Sequence, residues 1–156
     1  MKNRVTGTLV WLVVCSIFIY LVDLFTFNPT VISGNGNLGL LFVFPAVVAF
    51  FLFAKGLWKA LGRLELKSTT WIKIRLGGLA LLVVFGLLEY YFTMNLIRDL
   101  GGFPGNESSR IYRYSWLNQY TNTIFINIYT LGIVVAGVTF IKTIAKTKST
   151  YSSKTD

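Results

Sequence analysis

The sequence contains no histidine and a single cysteine, and both features exclude classes of protein. Without histidine the chain has no imidazole to ligate haem or zinc, or to serve as an acid–base catalyst. One cysteine, Cys15, can form neither an internal disulfide nor a CxxC redox pair. Cys15 stands inside an apolar run, so we interpret it as a small buried apolar residue. We therefore expect no metal site and no cofactor.

Acidic residues are also scarce, with six Asp and Glu against fifteen Lys and Arg and a net charge of +9. The basic residues flank apolar runs and do not cluster on one soluble element. We therefore exclude nucleic acid as a partner. We expect membrane lipids as partners, including anionic headgroups on the cytoplasmic side.

Apolar residues are abundant, at 54% of 156 residues. One soluble core of this size does not cover that much apolar surface. A helix needs roughly 20 apolar residues to cross a bilayer. Four such runs predict spans at residues 5–27, 38–57, 71–97 and 116–141. The predicted fold is an all-α integral membrane protein: a four-transmembrane-helix bundle forming one domain, 1–146, with a disordered cytoplasmic tail, 147–156.

The basic residues also predict an orientation. Twelve of the fifteen fall in the N-terminus, in the segment between spans two and three, and in the tail. Cytoplasmic loops carry the excess of Lys and Arg, so both termini should be cytoplasmic, with one short and one longer exterior loop. The first run is too long for a typical signal peptide, and no cleavage site follows it, so we expect it to remain as an anchor. The predicted location is the plasma (cell) membrane.

Polar residues within the spans are costly and are candidates for function. At a rise of about 1.5 Å per residue they fall in the outer half of the bundle. The candidate cluster, binding or structural, is Asp23, Glu89, Asn95, Arg98, Asp99, Arg110, Arg113, Asn118, Asn122 and Asn127. A site within the bundle should therefore open to the outer side, between spans one, three and four.

Glu89 stands out in this cluster because it follows an uncharged stretch, 76–88. An unpaired carboxylate there either takes up a proton or finds a cation or hydrogen-bond donor. It is either a strut that fixes spans three and four or a contact for a ligand. Asn118 and Asn122 are four apart, which on a helix places them on one face as hydrogen-bonding glue.

No catalytic motif is visible. The chain is similar in size and span number to the signal peptidase II family, but no acid lies between Glu107 and Asp156 to supply the aspartate that such enzymes need in their last span. Small multidrug-type transporters carry their membrane carboxylate in the first span, whereas Glu89 is in the third.

Three functions stay open. The first is a non-enzymatic accessory, assembly or immunity-type partner of another membrane component, or a homo-oligomer. The second is an outer-leaflet lipid- or amphiphile-binding, or lipid-active, protein. The third is a small oligomeric transporter or channel that uses Glu89.

Overall fold

The computed structural model describes residues 2–32 and 36–152, with side chains for 5–32 and 36–147. This part of the chain is all-helical, without strands. Its helices are α1 (Lys2–Leu24), α2 (Leu40–Gly62), α3 (Ser68–Asp99), α4 (Arg110–Tyr114), α5 (Asn122–Phe125) and α6 (Ile128–Ser152). Four stretches are long and apolar enough to cross a membrane: Val5–Leu24, Leu40–Gly62, Ser68–Asp99 and Asn122–Thr147. The prediction of an all-helical chain with four such helices is confirmed.

The predicted start of the fourth span, at residue 116, is wrong. Residues 115–121 are not helical, α5 is a short helix, and α6 begins only at Ile128. The reason is local, because asparagine and threonine side chains here bond neighbouring backbone N–H groups and compete with the helical pattern. At the other end α6 continues to Ser152, and residues 153–156 lie outside the described residues; the disorder expected for 147–156 stays a prediction.

The long helices are packed in the order α1, α2, α6, α3. Each packs along the next, whereas α1 and α3 are not packed against each other. The main apolar cluster lies between α1, α2 and α6 and includes Cys15, Ala46, Phe50 and Leu131. Cys15 is fully buried there, as expected. The row of helices therefore leaves an open side between α1 and α3.

Glycines allow α3 and α6 to approach closely. A Cβ placed on Gly78 would lie 3.4 Å from the backbone nitrogen of Phe140. A Cβ on Gly132 would lie 2.5 Å from the ring of Phe85, closer than real Cβ atoms come. This close approach packs α3 tightly on α6.

The two ends of the helix row differ in composition. We call residues 25–32, 36–39 and 100–121 the loop end, and the opposite end, with the 63–67 connection, the basic end. At the loop end α3 terminates in a glycine motif: Gly102 N donates to Ile97 O at 2.9 Å and Gly101 N to Arg98 O at 3.1 Å, with φ of +102° and +91°. The chain then returns across this end, where Arg110 N donates to Leu100 O at 3.0 Å.

Candidate functional site: a groove between the first and third helices

Two adjoining cavities lie on the open side between α1 and α3. The inner cavity, of about 480 Å³, is lined by Ser16, Ile19, Tyr20, Asp23, Phe92, Thr123, Ile126, Asn127, Ile128 and Tyr129. The second cavity, of about 370 Å³, lies towards the loop end and is lined by Asp23, Thr26, Phe27, Asn28, Pro29, Phe92, Leu96, Tyr120 and Thr123. Three residues line both cavities: Asp23, Phe92 and Thr123. We call the two together the α1–α3 groove.

The groove changes in character along its length. Its inner part is walled mainly by aliphatic and aromatic side chains, such as Ile19, Phe92 and Ile128. Towards the loop end hydroxyl and amide groups join them, including Thr26 and Asn28. An apolar chamber leading into a more polar mouth has the shape of a site for a molecule with a tail and a head.

Asp23 marks the boundary between the two parts. Its side chain is exposed and lines both cavities. Within the described side chains, the Asp23 carboxylate has no hydrogen bond or ion pair. A free carboxylate against an apolar groove attracts a cation or a hydrogen-bond donor from a ligand.

The wall opposite Asp23 is the junction of α5 and α6, which Asn127 builds. Asn127 Oδ1 accepts hydrogen bonds from Tyr129 N at 2.7 Å and Thr130 N at 2.9 Å. Asn127 N donates in return to Thr130 Oγ1 at 2.9 Å. This is a reciprocal helix cap, which starts α6 at a fixed angle to α5.

Glu89 supports this cap from behind. Its Oε2 accepts a 2.7 Å hydrogen bond from Asn127 Nδ2, and its Oε1 accepts one of 3.1 Å from Thr93 Oγ1. The bond to Asn127 joins α3 to the start of α6, and the rings of Phe92 and Tyr129 meet beside it at 5.9 Å between centroids. Glu89 is therefore placed as a strut for one wall of the groove. Its partners are neutral groups and not one of the three arginines of the candidate cluster.

Asn122 is the first residue of α5, and it does not line the groove. It is fully buried, and its amide exchanges two hydrogen bonds with the amide of Asn37, at 2.8 and 2.9 Å. Its Nδ2 also donates to Thr26 Oγ1 at 3.3 Å. Gly39 is needed here, because a Cβ on it would collide with the Asn122 amide. These contacts tie α1, the α1–α2 connection and α5 together.

Asn118 shapes the non-helical turn before α5. It is buried, its Nδ2 donates to Ser115 O at 2.6 Å, and its Oδ1 accepts from Tyr120 N at 2.8 Å. Thr121 Oγ1 closes the turn by accepting from Asn118 N at 2.9 Å. The idea that Asn118 and Asn122 share one face of a continuous helix is therefore wrong. The turn holds Asn118 in bonds to its own backbone.

Of the three arginines in the candidate cluster, Arg110 makes contacts that hold the loop end together. Its Nη1 donates to Val31 O at 2.9 Å, and its guanidinium lies 4.7 Å from the centroid of the Tyr120 ring. Tyr120 Oη donates to the same carbonyl at 3.0 Å. Together they hold the α1–α2 connection down on the returning chain.

The remaining candidates are exposed and lie apart from the groove lining. Arg98 donates to Asn95 Oδ1 at 3.3 Å, while Asp99 and Arg113 face outward. Of the ten candidates, Asp23 and Asn127 line the groove, and Glu89 is one hydrogen bond behind it. Among the described residues, no three His, Cys, Asp or Glu side chains come together to hold a metal ion.

No protein-family model, curated protein or solved structure matches this chain. The interpretation of the site therefore depends on its geometry.

One carboxylate, that of Asp23, faces the groove. The hydroxyl of Ser16 lies two turns away on the same helix, about 10 Å along the helix axis. This spacing does not form a nucleophile–base pair, which requires hydrogen-bond distance. The arrangement suits binding.

Sequence reasoning missed the aromatic and hydroxyl residues that line the groove, and also Asn37. One available signal was overlooked. The pattern Asn-x-Tyr-Thr occurs twice, at 118–121 and at 127–130. Asparagine followed three residues later by a residue that bonds back to it is typical of a helix start. Two such patterns nine residues apart indicate a broken entry into the fourth span.

Proposed function

We propose that the chain is a multi-pass protein of the cell membrane with its basic end in the cytoplasm. The support is that eleven of the fourteen Lys and Arg residues in the described part of the chain lie at that end. The test uses single cysteines in place of Ser68 and Glu107, which are both exposed and lie at opposite ends. An impermeant maleimide applied to intact cells should label position 107 and leave position 68 unlabelled until the cells are lysed. Cys15, which is buried, supplies the unlabelled baseline. Labelling at 68 alone would reverse the orientation.

For the function itself, we propose non-catalytic binding of an amphiphile in the α1–α3 groove, from the leaflet nearer the loop end. The observation that carries this is the unpaired carboxylate of Asp23, set between an apolar chamber and a more polar mouth. Cavities of about 300–1,000 Å³ are typical of small-molecule sites. The inner cavity, at about 480 Å³, falls in this range.

The charge of Asp23 defines the class of headgroup. A carboxylate at the edge of a membrane span favours an ammonium or another hydrogen-bond donor and disfavours a second anion. The ligand is therefore a cationic or donor-rich head on a hydrocarbon tail. The tail lies against Ile19, Phe92 and Ile128, in the inner part of the groove.

The experiment compares dodecylamine with dodecanoic acid, which share a chain length and differ in the charge of the head. Each is titrated by calorimetry into the protein in a nonionic detergent. We expect the amine to bind more tightly, and Asp23→Asn to weaken it by about tenfold. Asp99→Asn, which removes an exposed carboxylate outside the groove, should change nothing. Ser16→Phe, which puts a ring into the inner cavity, should weaken both ligands.

Equal binding of the amine and the acid, unaffected by Asp23→Asn, would contradict the assignment of Asp23. Binding that Ser16→Phe does not weaken would place the ligand elsewhere on the protein.

A second candidate is the accessory role, in which a helix of a partner protein or of a second copy occupies the same groove. The separation of α1 from α3 favours it, because both helices leave an edge open along the side of the row. A photo-crosslinking phenylalanine at Tyr20, on the edge of the groove, tests this. Capture of a protein at Tyr20 but not at Phe51, an equally exposed aromatic on α2, supports the accessory role. Capture of lipid alone supports amphiphile binding. Glu89 lines neither cavity of the α1–α3 groove, so the groove gives no support to a transporter that uses this carboxylate.

A further inference from the structure

A third cavity, of about 320 Å³, lies between α1 and α2 at the basic end. It is lined by Gly7 and Trp11 of α1 and by Lys55, Gly56 and Lys59 of α2, among others. None of its lining residues belongs to the α1–α3 groove. It is therefore separate from the proposed amphiphile site, and either site can stand without the other.

A glycine on each helix shapes the cavity, Gly56 at the point of close approach and Gly7 beside the open space. A Cβ on Gly56 would lie 3.1 Å from Thr8 Oγ1, so the helices are close at this point. A Cβ on Gly7 would meet nothing within 4 Å, because Gly7 faces the open part of the cavity. Space in the cavity thus depends on the missing side chain of Gly7.

Two lysines face this space together. Lys55 and Lys59 are four residues apart on α2, which puts their side chains one turn apart on the same face. Within the described side chains, neither has a hydrogen bond or an ion pair.

Two other cations near this end have partners within the protein. Lys142 Nζ lies 4.2 Å from the centroid of the Trp58 ring. Arg75 Nη2 donates to Thr147 Oγ1 at 2.6 Å and to Thr143 O at 3.3 Å. Lys55 and Lys59 are thus a pair of cations that the fold directs to a cavity and leaves without a counterion.

We propose that this cavity binds a phosphate group, with Lys55 and Lys59 holding the phosphate oxygens and Gly7 providing the room. A phosphate is the common anionic group at a membrane surface, and basic pockets between membrane helices suit lipid headgroups. Trp11 adds an amphipathic ring, a residue type that prefers headgroup depth. The phosphate is carried either by an anionic lipid or by a free anion.

The test is native mass spectrometry of the full chain released from a nonionic detergent. It is titrated with short-chain phosphatidylglycerol, with phosphatidylcholine of the same chain length, and with inorganic phosphate. We expect one tightly held phosphatidylglycerol. The paired variant Lys55→Gln/Lys59→Gln should bind it about 30-fold more weakly, since each lysine near a headgroup contributes roughly fivefold.

Two variants distinguish specific binding in the cavity from non-specific attraction to positive charge. Lys67→Gln/Lys73→Gln removes the same charge from exposed lysines at the same end, outside the cavity, and should bind as the parent does. Gly7→Leu keeps every charge and fills the cavity, and should weaken binding about tenfold or more.

Saturation by inorganic phosphate at the same lysines, with phosphatidylglycerol no tighter, assigns the site to a free anion and upholds the phosphate chemistry. Equal weakening by the two lysine pairs, or unchanged binding in Gly7→Leu, would overturn the proposal, because the attraction would then be diffuse. Binding of phosphatidylcholine as tight as that of phosphatidylglycerol would overturn it too.

Discussion

Replacement of Asn127 by aspartate tests the central joint of the loop end. Asn127 is 8% exposed, and its Nδ2 donates to Glu89 Oε2 at 2.7 Å. Aspartate keeps the oxygen that caps α6 but puts a second carboxylate oxygen where the donor was. Helix capping should therefore survive, while the contact with Glu89 becomes repulsive. Loss of the donor from Asn127, itself buried, to the half-buried Glu89 carboxylate costs about 1–3 kcal/mol. We expect a loss of that size in the free energy of unfolding.

The reciprocal change should restore part of the joint, because Asn127 Nδ2 also donates to Thr123 O at 2.8 Å and that bond is not recovered. Glu89→Gln alone should cost less, since its amide oxygen can still accept from Asn127. With both changes, the new amide at position 89 donates to the new carboxylate at position 127, and the direction of the bond is reversed. We expect the double variant to be more stable than the sum of the single effects by about 1 kcal/mol, within the range of coupling energies for residues in contact.

The measurement is reversible unfolding by SDS titration in mixed micelles, followed by circular dichroism. Asn95→Asp is the matched control, because Asn95 is exposed and its side chain, among those described, bonds to Arg98 alone. A fully stable Asn127→Asp variant would refute the reasoning, since a proton held between the two acids would then replace the amide donor. Strictly additive single effects would refute it as well.

Two further predictions concern packing and the buried amide pair, and the same unfolding assay checks both. Gly132→Ala puts a Cβ 2.5 Å from the ring of Phe85 and should cost about 1–3 kcal/mol, whereas Gly77→Ala, with nothing within 4 Å, should be neutral or stabilising. Asn122→Ala leaves the Asn37 amide without its partner and should cost about 1–3 kcal/mol; a cost below about 0.5 kcal/mol would show that water or another group replaces it.

The four apolar helices were predictable because they depend on composition over long windows. A run of about 20 apolar residues determines a span whatever its neighbours are. The same reasoning placed polar groups at one end, and Asp23 and Asn127 do line a groove between α1, α3 and the start of α6. Depth along a helix follows from the rise per residue, so a candidate site could be assigned to one end of the bundle from residue numbers alone.

The fourth span shows where this reasoning failed. The predicted start at residue 116 passed over a polar stretch, Asn118 to Thr123, which lowers the hydropathy before Ile124. The break is made by single hydrogen bonds from Asn118 and Asn127 to backbone N–H groups of the following turn. Such bonds depend on side-chain rotamers, so the polar stretch indicates the region of the break and a search for capping patterns is needed to find its position.

The sequence by itself determined that the chain forms four long apolar helices and that basic residues gather at one end, because both properties are sums over many residues. Only the tertiary structure decided that α1 and α3 stay apart. That depends on how closely α6 approaches α3 at Gly78 and Gly132, and on the partners of two side chains: the Asn37 amide for Asn122 and the Glu89 carboxylate for Asn127. These are contacts between residues far apart in the chain. They decide that Asn122 is buried in the framework, that Glu89 supports a wall, and that the carboxylate of Asp23 faces the groove.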